Sequence, residues 1–170
     1  MSTNKTTKFT FTKLPVNLTE LKALKEADLK SPEGTAALTI LALCVYPKDK
    51  EASLEMLDYL KGPNPLSTYD KQFLADRFSG KDYIALSYFV GASPENNYKP
   101  TEPFTIEVTE NPYSRNNIKE GYLKLHMQSG GADSLRPITL REKPSTGQWF
   151  LWEQMLLADI RKPTSSDPWA

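Results

Sequence analysis

Helices in the first half and an antiparallel sheet in the second make this sequence an α+β one, and three observations predict it. Apolar residues recur at helical spacing up to about Gly80. From about Asp82 the period changes towards two, as in half-buried strands. The connections between the later strands are short, which makes sequential strands antiparallel neighbours. Runs of helices followed by runs of strands read as α+β: about four N-terminal helices packed on a C-terminal antiparallel sheet of about five strands.

Residues 1–13, rich in Thr and Lys, read as a flexible N-terminus, with 14–170 as a single α+β domain. Asn17 is the first start signal, with Glu20 three residues on as in a capping box, and Leu18, Leu21 and Leu24 follow at helical spacing. A helix from Leu18 to about Leu29 is predicted. Ser31-Pro32-Glu33 starts the second: Ser caps, Pro fits the first turn, and Glu favours the positive helix end. The run Thr35 to Tyr46 is apolar almost all round, so this helix should be central, with Leu38, Leu41, Ala42 and Cys44 nearly inaccessible. Pro47 stops it. Asp49 caps a third helix lined by Leu54, Leu57 and Leu60, and Gly62 suits its left-handed end. Ser67 caps a fourth, with Tyr69, Phe73, Leu74 and Phe78 as its apolar face and Gly80 at its end.

Tyr83 to Val90 is a continuous β-rich run and reads as a buried strand. Phe104, Ile106 and Val108 alternate with polar residues, as do Leu123, Leu125 and Met127, and then Ile138 and Leu140. Gln148 to Trp152 is the fifth candidate. Gly130-Gly131 and the segment 144–147 are turn material. A lone meander needs cover for its apolar face, and the helices are the available cover.

A chain of 170 residues with 39% hydrophobic side chains can bury a core without staples. Lys plus Arg equal Asp plus Glu at 21 each, so no overall field attracts nucleic acid or an anionic membrane, and neither is expected as a partner. Cys44 stands alone and cannot form an internal disulfide. Met1 to Thr10 has no apolar core of a secretory signal, and Ala36 to Tyr46 is too short to span a bilayer. A cytoplasmic location is the expectation.

Two stretches carry a resemblance. One is Tyr88-Phe89-Val90-Gly91-Ala92-Ser93-Pro94-Glu95-Asn96-Asn97-Tyr98. The other is Gly147-Gln148-Trp149-Phe150-Leu151-Trp152-Glu153, running on to Asp159-Ile160-Arg161-Lys162-Pro163 and Asp167-Pro168-Trp169. Together they resemble an uncharacterised family of short proteins from Gram-positive gut anaerobes, from about Leu14 onward. That resemblance brings no activity, cofactor or catalytic residue with it. In shape, a closing strand with Gly-x-Trp after helices and a curved meander is similar to the α+β domains of the nuclear-transport-factor-2 and cystatin-like type, which implies a fold and not a function.

Searches for catalytic motifs come back empty: no Gly-rich phosphate loop, no His-Glu-x-x-His, no Gly-x-Ser-x-Gly, no Cys pair. No catalytic residue, metal site or cofactor is assigned. His126 shares the polar strand face with Tyr122, Lys124 and Gln128, where a solvated residue is the ordinary reading; a general base would need a carboxylate partner that no spacing supplies. Cys44, on the most apolar helix, reads as a small buried hydrophobe. The segment from Gly91 to Pro103 is long for a loop and is either functional or a connection pinned by Tyr98. Pro163, Pro168 and Trp169 suggest a tail folded back, with Trp169 docked in an apolar groove.

Three functions fit. The first is a non-enzymatic binding or protein-interaction domain using the loop from Gly91 to Pro103 with Trp149, Trp152 and Trp169. The second is a small-molecule pocket between sheet and helices, with weak acid–base chemistry from His126, Tyr122 and Tyr88. The third is a structural oligomer subunit. The candidate binding residues are Tyr88, Tyr98, Tyr122, His126, Trp149, Trp152 and Trp169, and the expected partner is a protein or a small-molecule ligand.

Overall fold

The order of the elements departs from helices-then-strands at its very beginning. In the computed structural model, which describes residues 4–169, strand β1 (Lys5–Phe11) comes first. Helices α1 (Leu18–Lys22), α2 (Pro32–Val45), α3 (Lys50–Lys61) and α4 (Thr68–Phe78) follow. Strands β2 (Phe104–Glu110), β3 (Tyr122–Met127), β4 (Arg136–Lys143) and β5 (Gln148–Gln154) complete an antiparallel sheet in the order β1-β2-β3-β4-β5. The architecture is α+β with four helices and five strands.

β1 corrects the reading of residues 1–13 as flexible. Lys5 to Phe11 pair along their whole length with Glu110 to Phe104, and Phe11 is buried. The alternating Thr and Phe carry a strand pattern that a terminal position had outweighed. Met1 to Thr3 of that segment, and Ala170, lie outside the described residues. The second correction concerns Tyr83 to Val90. This run forms turns and a 3-10 helix at Ala85–Tyr88, and only Phe89 bridges to a strand, opposite Ile106. Ser87 Oγ donates to Ile84 O at 2.6 Å, a local bond that favours the tight turn over a ladder, and accepts from the distant Ser129 Oγ at 2.7 Å.

The helix starts agree with their caps. Asn17, Ser31, Asp49 and Ser67 each accept an amide N–H three residues on. The first helix is shorter than predicted: α1 stops at Lys22, and a 3-10 turn at Lys25–Asp28 ends on Leu29 with φ 61°. The break lets Leu21, Ala27 and Leu29 all bury.

α2 is the centre of the molecule and lies against all five strands. Leu38, Leu41 and Ala42 are fully buried on it, as predicted, whereas Cys44 is only half-buried. Two buried hydroxyls fasten it: Thr35 Oγ1 donates to Trp149 O of β5 at 2.8 Å, and Ser53 Oγ of α3 donates to Ala42 O at 2.7 Å. Strand alternation puts Ile106, Val108, Leu123, Leu125, Met127, Ile138, Leu140 and Leu151 in the core. No helix among the described residues is long and apolar enough to cross a membrane.

The tail folds back, but not through its tryptophan. Ile160 is buried, Arg161 N–H donates to Gly131 O at 2.9 Å, and the Tyr98 hydroxyl donates to Arg161 O. Trp169 stands 93% exposed, which overturns the docked position expected for it.

Candidate functional site

Strands β3, β4 and β5 turn their outward side chains away from the helices, and on this face one cluster forms. Tyr122 on β3 and Arg141 on β4 are direct cross-strand partners. On β5, Leu151 pairs with Leu140 but Glu153 pairs with Thr139, so Trp152 is the extra residue of a bulge. Bulges re-aim side chains. Here the Trp152 ring meets Tyr122 edge-on at 5.5 Å, and the Arg141 guanidinium lies over both rings, 4.7 Å from Trp152 and 5.4 Å from Tyr122.

Three clefts meet at Trp152. The largest, about 500 Å³, opens under the loop at 111–121 and is lined by Tyr113, Asn117, Tyr122, Lys124 and Glu153 as well as Trp152. That loop is held in place: Asn111 N–H donates to Ser114 Oγ at 2.9 Å, Lys124 N–H donates to Ser114 O at 3.1 Å, and Arg115 pairs with Glu110 at 2.9 Å. A second cleft, about 290 Å³, lies between the end of α3 and the β4–β5 turn, with Pro63, Lys61, Arg141 and Phe150 among its walls. A third, about 200 Å³, runs between α3, α4 and β5 past Leu66, Tyr69 and Phe73.

Gly62 makes the second cleft possible. It ends α3 with φ +58°, and a Cβ there would sit 2.3 Å from the Phe150 ring. Only a residue without a side chain lets Phe150 lie flat against the helix end. Beside it Lys61 is buried, and its ammonium donates to Trp152 O at 3.3 Å.

The structure brings together two of the seven predicted residues, Tyr122 and Trp152, and disperses the rest. Tyr88 is buried; its hydroxyl donates to Leu156 O, and burial pushes its phenol well up, with Arg136 pulling weakly the other way. Tyr98 is also fully buried, at φ 57°, stacked on Tyr83 at 5.3 Å. Burial pushes its phenol up to about 12, with smaller opposing effects from Tyr83 and Arg161. Tyr98 pins the loop from Gly91 to Pro103 to the tail. Trp149 is buried, and its backbone N–H donates to Leu29 O at 2.7 Å. Trp169 is exposed and apart.

His126 is half-buried; its Nδ1 lies 3.4 Å from Asn111 Nδ2, and burial, then Lys124, lowers its pKa. Among the described residues it forms no ion pair with a carboxylate. Arg141, Lys61 and Tyr113 were missed. No local signal marks Arg141 or Lys61, which read as ordinary basic residues on a strand and at a helix end. Among the described residues no three His, Cys, Asp or Glu side chains gather as metal ligands would.

Residues 13–164 match the family described as Domain of unknown function (DUF6935). The chain belongs to this family. The match includes Lys61, Tyr122, Arg141 and Trp152, and leaves β1 and Trp169 outside. No curated protein and no solved structure matches the chain.

Proposed function

We propose that this chain is a non-catalytic binding domain whose ligand-facing surface is the outer side of β3–β5, centred on Trp152. One observation carries the reading: a tryptophan re-aimed by a bulge forms a wall common to three clefts, under a stacked guanidinium. Aromatic and arginine side chains in that setting anchor ligands well, because they bring contact area with few rotamers to freeze. A cytoplasmic setting accords with the single cysteine. Kinship in shape with cystatin-like domains is favoured by one strand before the helices and a four-strand meander after them.

The test is a titration of the full chain with small aromatic probes of each charge type, followed through the indole N–H resonances of the three tryptophans. Trp152 should move while Trp149 and Trp169 stay still, and Trp152→Ala should remove the response. Shifts confined to Trp169, or none with any probe, would refute this assignment of the face.

A further inference from the structure

The geometry points to the second cleft, between Lys61 and Arg141, as a site for a small aromatic carboxylate; this rests on the binding face around Trp152. Three cations line it, Lys61, Arg141 and Lys143, against a single carboxylate, Glu142. None of the three cations forms an ion pair among the described residues. Lys61 is the decisive one. It is only 8% exposed, and its one side-chain hydrogen bond goes to the Trp152 carbonyl, a neutral acceptor. A lysine so little exposed is ordinarily paired, because taking its charge out of water is costly unless a counter-charge compensates. A ligand anion reaching Lys61 would supply that counter-charge.

Arg141 is poised for the same task. Its guanidinium lies within cation–π distance of the Trp152 and Tyr122 rings, so it is held by aromatic faces and not by a carboxylate. The in-plane N–H donors make no hydrogen bond to any described residue. Those donors are the ones that bind a carboxylate in bidentate fashion. Apart from Asn64 the remaining walls are apolar, Pro63, Phe150 and Trp152 among them, and suit an aromatic body. A cleft of about 290 Å³ lies at the small end of ligand sites, which fits a one-ring acid.

Phenylacetate and phenylacetamide, equal in shape and different in charge, are the probes, titrated by calorimetry and by the Trp152 indole resonance on the full chain. Phenylacetate should bind about ten- to a hundredfold more tightly than the amide, the usual gain of a charge-assisted hydrogen bond. Lys61→Met should remove most of the acid's advantage over the amide, with Trp152 still responding to the amide. Arg141→Gln, at an exposed position that does not threaten folding, should weaken the acid in the same direction. Equal binding of acid and amide at Trp152, or an acid affinity indifferent to both substitutions, would overturn the carboxylate site while leaving the binding face standing. If neither probe moves Trp152, the carboxylate site falls; if no probe of any charge does, the face falls with it.

Discussion

Replacing Thr35 by Val removes one hydroxyl from the middle of the molecule and keeps the shape. Thr35 is fully buried, and its Oγ1 donates to Trp149 O, joining the first turn of α2 to the start of β5 across 114 positions of chain. A longer bond, 3.3 Å, goes to Ser31 O within the helix. In the variant the Trp149 carbonyl loses this donor at a buried site. A net hydrogen bond is worth about 0.5–1.5 kcal/mol, and leaving a buried partner unpaired adds to that, so the expected loss is about 1–3 kcal/mol. For a domain of this size that lowers Tm by roughly 2–4 °C per kcal/mol. Urea unfolding should show a lower midpoint with an unchanged slope, since the surface exposed on unfolding is the same. Thr35→Ser keeps the hydroxyl and gives up only a methyl, about 1 kcal/mol, and should be the milder change. If Thr35→Val is as stable as the parent chain, or more stable than Thr35→Ser, the link between α2 and β5 is not what holds them in register.

Three further outcomes follow from the same coordinates. Gly62→Ala should cost more than Gly80→Ala in thermal unfolding. Both positions have positive φ, but the new Cβ meets Phe150 at 2.3 Å in the first and nothing within 4 Å in the second; equal costs would show that Phe150 does not rest on Gly62. Burial and Lys124 hold the folded His126 below its ordinary 6.5, so the unfolded chain takes up the proton first. The contribution of His126 is therefore complete above about pH 6.5 and is lost as the pH falls below it, and His126→Asn should flatten that part of a Tm–pH curve. Although Cys44 as a residue is only half-buried, burial of its thiol pushes it up to about 12 against a weak pull from Lys48. The native chain should react with a disulfide reagent at mildly alkaline pH at least about a hundredfold more slowly than the urea-unfolded one, and comparable rates would contradict that environment.

What the sequence determined by itself was local. Asn17, Ser31, Asp49 and Ser67 announce the helix starts because a side-chain oxygen three residues from an orphan amide acts within one turn. The all-round apolar α2 had to be central, and β2 to β4 show their period in their side chains, whereas Gln148 to Trp152 is apolar on both faces. Tertiary structure decided the rest. Lys5 to Phe11 takes the edge beside β2, whereas Tyr83 to Val90 contributes only the bridge of Phe89 to Ile106, and neither stretch contains that outcome alone, because strand pairing is settled by which partner completes the ladder. Trp149 and Trp152 look equivalent in sequence, yet one is core and the other forms the walls of three clefts. The bulge opposite Thr139 and Leu140 sets Trp152 in place, and no local pattern encodes a bulge. Lys61 and Arg141, 80 positions apart in sequence, share a cleft only because the end of α3 comes to rest beside the β4–β5 hairpin. Long-range packing places charges, whereas sequence spacing places only neighbours on one element.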